Sequence, residues 1–329
     1  MKISSILGID VSKKTLDCYL HVQQLGLPPV SNDIKGFKCI YRWLLKALKS
    51  TDELIVVMEY TGIYTYGIER YLEQQNIKFV KRPALDIKRS LGMVRGKSDR
   101  ADAKFISKYG WLRKEDLRPM TPQTDDQLEL QQLMSHRDKL VVDRASYQSK
   151  LKELSLQMGI KMSDKITASI SYVMDVLKEE IKDVEKEIEA LIKKDEVLQT
   201  NYDLVCSVVG IGFATAVHIL IATENFTRFT NVRKFICYCG VAPFEHSSGT
   251  SIKGKTRVSH LANKKIKSLL TMAATSAIQH DPELKIKYQQ KVQEGKNKMS
   301  VINMIRAKLL QRVFAVVKNK KNYEVRSAA

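Results

Sequence analysis

The sequence predicts an α/β N-terminal domain, then a helical coiled-coil arm, then a mainly α C-terminal domain. Three observations carry this. Short apolar runs alternate with helical patterns over the first hundred residues, as in a sheet flanked by helices. No proline occurs between Pro122 and Pro243, and apolar residues at heptad spacing fill part of that span. Beyond residue 200, glycine turns separate helical runs and basic residues accumulate.

The elements follow in order. "SILGIDV" and "LDCYLHV" read as strands, apolar and bounded by polar turns. "IKGFKCIYRWLLKALKS" has helical spacing. "ELIVVMEYTG" is a buried strand ending near Gly62, "YGIERYLEQQN" a short helix, and "IKFVKRP" a strand stopped by Pro83. "RPMTPQTDD" carries two prolines and reads as a linker, so the first domain is expected over 1–120.

An arm is expected over 121–200. Leu177, Ile181, Val184, Ile188 and Leu191 step by four, three, four and three. Leu140, Tyr147, Leu151, Leu154 and Met158 form a similar upstream seam, and Gly159 breaks the path. This predicts an antiparallel helical hairpin that either packs on its own chain or dimerises. The last domain is expected over 201–329. Gly210 and Gly212 lie between two helical runs, the turn of a helix-hairpin-helix-like segment. Such glycines bring backbone amides close to a phosphate, although any tight interhelical turn uses glycine too. A Gly- and Ser-rich basic loop between helices follows, then a basic amphipathic helix, "SVINMIRAKLLQRVFAVVKNKK".

Composition narrows the function class. The 329 residues carry a net charge of +19. Residues 231–329 hold 20 Lys and Arg against 5 Asp and Glu. A local excess of this kind suits a phosphate backbone, and solubility alone is the alternative. No run of about eighteen apolar residues is present, so no membrane span is expected. Five cysteines without C-x-x-C spacing speak against zinc or disulfides and for reduced thiols in a cytoplasm.

Four carboxylates stand out. Asp10 ends the apolar strand "ILGID" and Glu59 ends "LIVVME". Buried strands seldom end in acids without compensation. A carboxylate at the end of a first strand, with a second strand returning after a short turn, resembles the first acid of a ribonuclease H-like arrangement. Asp99 and Asp102 lie three apart at a helix start, where they share a face. Either one alone reads as a cap or as solvated surface. Taken with Asp10 and Glu59, they form an oxygen-rich set suited to one or two hard divalent cations.

"GIDVSKKTLD", "VVMEYTGIYT" and "GKSDRADAKFIS" resemble the acidic motifs of the Piv/MooV-like DEDD transposases of bacterial insertion sequences. "VVGIGFATAVHIL" and "CGVAPFEHSSGTSIKGKTRVSHLANKKIKSLLTMAA" are similar to the C-terminal domain of the same family. The resemblance implies a RuvC-like N-terminal domain binding Mg²⁺, or Mn²⁺ in its place, through Asp10, Glu59, Asp99 and Asp102. It implies a serine nucleophile at Ser248, with Ser247 adjacent, activated by the acidic site of another subunit. His246 is a loop residue or phosphate contact and His260 a structural one. Lys97, Arg100, Lys253, Lys255, Arg257, Gly210 and Gly212 are the expected nucleic-acid contacts. Thr250, Ser251 and Ile252 intervene between Ser248-Gly249 and the first lysine.

The implied activity is that of a DNA recombinase moving its own element. Strand exchange passes through a phosphoserine link and a Holliday junction. Donor and target DNA and a non-coding bridge RNA are the implied partners. The implied assembly is a homodimer pairing into a tetramer, and the implied location the bacterial cytoplasm, at the nucleoid. The alternatives are a metal-dependent junction nuclease without a covalent link, and a nucleic-acid-binding scaffold with an inactive site.

Overall fold

A computed structural model describes residues 3–48, 50–90, 99–156, 163–248 and 252–325; the side chains of 99, 100, 246–248, 252, 253 and 255 lie outside that description. The chain divides into two compact units, Met1–Thr124 and Asp125–Ala329.

The first unit alternates strands and helices: β1 (Ser5–Val11), β2 (Thr15–Leu20), β3 (Leu25–Ser31), α1 (Ile34–Ala47), β4 (Leu54–Glu59), α2 (Tyr66–Gln74), β5 (Lys78–Arg82), α3 (Ala84–Ser90) and α4 (Asp99–Leu112). The strands form one mixed sheet in the order β3-β2-β1-β4-β5. β1, β4 and β5 run parallel, whereas β2 is antiparallel to β1 and to β3. The mixed α/β expectation holds.

β3 has no counterpart in the sequence reading, because Pro28 and Pro29 lie inside it. Proline cannot donate to a ladder and is tolerated at a sheet edge or a bulge. Both conditions hold here. β3 is an edge strand, and its register with β2 shifts between Leu16 and Cys18, opposite the proline pair.

Strand alternation splits the core in two. Leu7, Ile9, Val56, Met58 and Phe79 face α1 and α2, against Phe37, Ile40, Leu44, Ile68 and Leu72. Ile6, Ile55, Val57 and Val80 face α3 and α4, against Ile87, Ile106 and Tyr109.

On the α1/α2 side, Lys81 meets Glu69 at 2.9 Å, and both are buried. The rings of Tyr60 and Tyr66 flank the ammonium at 5.2 and 5.8 Å. Removing one partner leaves the other charge buried and alone, so Lys81→Met is expected to destabilise by about 3–5 kcal/mol. The double variant Lys81→Met/Glu69→Leu should recover most of that loss in denaturant titrations. A near-neutral Lys81→Met would show that the pair does not hold α2 to the sheet.

The second unit comprises α5 (Asp125–Ser155), α6 (Asp164–Lys194), α7 (Glu196–Cys206), α8 (Phe213–Thr223), α9 (Val232–Tyr238), β6 (Pro243–Ser248), β7 (Ile252–Val258), α10 (Lys264–His280), α11 (Pro282–Gln293) and α12 (Lys298–Asn319). α5 and α6 form an antiparallel pair. Arg137 binds Glu185 at 2.8 Å, and Met134 clusters with Val184 and Ile188. Of the heptad seam, Val184, Ile188 and Leu191 are buried, while Leu177 and Ile181 are half-buried.

The structure sharpens three expectations here. The Gly/Ser-rich basic segment is a two-stranded antiparallel hairpin rather than a loop, paired from Pro243↔Val258 to Ser248↔Ile252. Lys253, Lys255 and Arg257 all belong to β7, whose register with β6 shifts between Phe244 and His246, so that Lys253 pairs with Ser247 and Arg257 with Phe244. α12 is a core helix: Ile305, Leu309, Leu310 and Val313 are fully buried, and so nearly are Arg306 and Arg312. Gly210 has φ +93°, and a Cβ there would stand 2.4 Å from the Ala273 carbonyl oxygen. That glycine lets α10 pack directly against the turn between α7 and α8. Among the described residues, no helix is long and apolar enough to cross a membrane.

Candidate active site

The site begins with the lie of α4 on the sheet. A Cβ on Gly8 would come within 2.3 Å of the Ala103 carbonyl oxygen and 2.4 Å of the Ser107 nitrogen. A Cβ on Gly110 would meet Ile6 and Val57, each at 2.8 Å. The contact moves forward along α4 as it moves back along β1, so helix and strand are antiparallel. From Gly8 to Asp10 the strand advances about 6.6–6.8 Å, and one helical turn back from Ala103 is about 5.4 Å. The first turn of α4, with Asp99 and Asp102, therefore lies over the end of β1.

α4 also reaches across β2. Lys104 stands 5.5 Å over the Tyr19 ring, and Trp111 packs on His21 at 5.7 Å. Burial first, then Lys108 and Lys104, hold His21 below the usual imidazole range. α4 thus presents basic residues to this side of the sheet.

Beneath the helix start, the sheet aligns its charged residues. β1 and β4 pair in parallel up to Ile9↔Met58, and the next step sets Asp10 beside Glu59. Both belong to the face that carries α4, since Ile9 and Met58 belong to the opposite core. Antiparallel pairing places Asp17 directly across from Asp10, and Asp17 is 7% exposed. On the far side, Glu59 pairs with Arg82. One face therefore carries the row Asp17, Asp10, Glu59, Arg82 across four neighbouring strands about 4.8 Å apart.

Asp10, Glu59 and Asp102 are all half-buried. Sequence reasoning missed Asp17, whose only signal is the turn after Val11. Ser12 and Thr15 close that turn by hydrogen bonds between the Ser12 amide and the Thr15 carbonyl and between their hydroxyls. The closure fixes Asp17 opposite Asp10.

The donor chemistry fits a hard divalent cation, because every acid of the set offers carboxylate oxygen. Among the described residues, no three His, Cys, Asp or Glu side chains already stand within reach of one ion. The side chain of Asp99 lies outside the described part.

Other expected residues fall elsewhere. Lys97 lies outside the described residues, as do the side chains of Arg100, Lys253 and Lys255. Arg257 is exposed on β7 and His260 is exposed beyond it. Ser248 is the last residue of β6, and its neighbour Ser247 pairs with Lys253. Ser248 itself pairs with Ile252, so the first lysine after it in sequence, Lys253, stands beside Ser247. Gly210 serves helix packing, whereas a Cβ on Gly212, which caps α8, would meet nothing within 4 Å.

Comparison with known proteins now bears on the whole chain. Residues 7–158 match the sequence model of the DEDD transposases of IS110 elements, and residues 202–289 match the one described as Transposase IS116/IS110/IS902 family. The chain belongs to the IS110 family of insertion-sequence transposases.

The chain is similar to the pilin gene-inverting protein of Moraxella bovis, 26% identical over 97% of this chain and 98% of that protein. The transposase for insertion sequence element IS1111A of Coxiella burnetii is 24% identical over 56% of each chain. This IS110-family chain is accordingly a DNA transposase/recombinase enzyme. A solved RuvC from T. thermophilus, in complex with a Holliday junction substrate, overlaps 35% of the chain at 12% identity and a TM-score of 0.27. The fold of this transposase is defined by its own sheet order, β3-β2-β1-β4-β5.

Proposed function

We propose that this transposase cuts and rejoins DNA through Ser248, with donor and target chosen by a non-coding bridge RNA. The Ser248 hydroxyl attacks a backbone phosphorus. A serine–phosphate ester forms, a phosphate–deoxyribose bond breaks, and a deoxyribose hydroxyl leaves with the proton. The hydroxyl of the exchanged strand then attacks the ester, restoring a phosphodiester and the free serine. One ester replaces another at each step, so no external energy source is required.

In this reading Asp10, Glu59, Asp99 and Asp102 hold Mg²⁺, or Mn²⁺, in a RuvC-like domain. The ion supplies positive charge to a phosphate at the moment negative charge builds on it. The order β3-β2-β1-β4-β5, with Asp10 on the central strand and Glu59 beside it, supports that assignment. The basic positions of β7 next to Ser247 and Ser248 support a phosphate contact there.

The α5–α6 arm exposes Val142, Tyr147, Tyr172 and Val176, which supports assembly of copies into dimers and tetramers. A DNA substrate places the enzyme at the nucleoid. The observation that carries the reading is joint: Asp10 and Glu59 lie side by side on the sheet face that carries α4, and β7, the strand paired with Ser247 and Ser248, contains Lys253, Lys255 and Arg257.

The test is a trapped adduct. Protein incubated with element-end DNA, its flanking transcript and Mg²⁺ should give a denaturation-resistant protein–DNA species. Ser248→Ala should abolish it and Ser247→Ala should retain it. An adduct that survives Ser248→Ala removes this serine from the chemistry. An adduct formed equally well without the transcript removes the RNA. Strand cleavage with no adduct at all would favour a hydrolytic nuclease.

A further inference from the structure

Beyond the acidic row, the first unit contains a cleft of about 370 Å³ at the β5 edge, between α3 and the C-terminal half of α4. Arg82, Arg89 and Arg113 line it, with Tyr109 between them. Arg82 is the residue paired with Glu59, so the cleft adjoins the row of acids. None of these arginines is needed by the chemistry described above.

Their donors are poorly used. The Arg82 Nε is buried without an acceptor, and its Nη2 reaches the Asp116 carbonyl oxygen only at 3.3 Å. Arg89 is exposed and has no hydrogen-bond or ion-pair partner among the described residues. Arg113 meets the Asp116 carboxylate at 3.4 Å, with both side chains more than half exposed. Such a pair contributes little and yields readily to a better acceptor.

A buried donor without an acceptor is a group awaiting a partner. Two carboxylates, Asp86 and Asp116, also line the cleft, so three guanidinium groups leave a net charge of +1. That balance matches the single charge of an internal phosphodiester. The planar guanidinium forks suit phosphate oxygens better than lysine would.

We propose that this cleft is a phosphate site for a nucleic-acid strand: Arg82, Arg89 and Arg113 hold one backbone phosphodiester of a strand that passes the Asp10–Glu59 row. The site serves as an anchor that sets the register of that strand relative to the acids. It requires only that the enzyme binds nucleic acid, not the serine chemistry.

The test is equilibrium binding by the full chain carrying Ser248→Ala, so that no adduct can form. Fluorescent DNA and RNA oligonucleotides of one sequence are titrated across a salt series. Arg89→Ala/Arg113→Ala should weaken binding several-fold and reduce the slope of log K against log salt by about 0.7–0.9, the value for one phosphate. Arg89→Lys/Arg113→Lys should restore the slope but not the full affinity, because the forks are lost.

Lys88→Ala removes an exposed lysine of α3 that does not line the cleft. It should change the slope by less than half as much. A loss with DNA alone, or with RNA alone, supports the site and names its strand. An unchanged slope with both, or an equal effect of Lys88→Ala, overturns the proposal. Thermal melts of each variant confirm folding, which exposed Arg89 and Arg113 should leave intact.

Discussion

Asp10→Asn is expected to lower DNA strand cleavage by about 10²–10³-fold, the scale for losing a group that stabilises transition-state charge. The same substitution should leave the protein folded and raise its melting temperature slightly. The two effects share one cause. Asp10 stands between Asp17 and Glu59 on adjacent strands of one face. Like charges directly opposite in a sheet destabilise it by about 0.2–1 kcal/mol per pair. Asparagine keeps the shape of aspartate and removes the charge common to both pairs. A stabilisation near 1 kcal/mol would shift the melting temperature by about 2–4 °C. Opposed changes in activity and stability mark a residue retained for chemistry. Activity and melting temperature falling together would assign Asp10 a structural role instead. The measurement is cleavage of element-end DNA beside a thermal melt of the same preparation.

Gly8→Ala should damage the first unit more than any single surface change. The added methyl group would point at the backbone of α4, 2.3 Å from the Ala103 oxygen and 2.4 Å from the Ser107 nitrogen. Backbone atoms cannot rotate away as a long side chain can, so α4 must lift or slide. Overpacking of this kind costs about 1–3 kcal/mol, and a loss at the upper end lowers the melting temperature by about 10 °C.

Function should fall further than stability, because α4 carries Asp102 over the end of β1. Gly62→Ala is the matched control. Gly62 has φ +68° but open space around its Cβ position. Its cost is the left-handed backbone alone, about 1 kcal/mol. Hydrogen exchange along α4 separates the two cases: it should quicken in Gly8→Ala and stay near wild type in Gly62→Ala. Equal protection of α4 in both variants would show that Gly8 is not what seats the helix.

Much of the fold was legible because local periodicity reports burial. "SILGIDV", "LIVVME" and "KFVKR" appear as strands within a residue or two of their observed ends. The acids Asp10 and Glu59 were visible for the same reason, as charges at the ends of runs that alternation buries. β3 was hidden because Pro28 and Pro29 veto an interior strand, and its place at the edge is a property of the whole sheet. The hairpin of β6 and β7 was hidden by its glycines and serines, although Lys253, Lys255 and Arg257 already showed the strand period.

The sequence by itself determined the family, the order of its acids and the apolar faces that make one unit α/β and the other mainly helical. Those are matters of composition and spacing along the chain. Only the tertiary structure decided that Asp17 joins Asp10, that Arg82 stands beside Glu59, and that Lys253 returns to Ser247. Gly8 gained its meaning in the same way, as the gap through which α4 reaches the sheet. The physical reason is register. Cross-strand neighbours about 5 Å apart are set by where a turn closes and which edge is free, and separation in sequence does not record either.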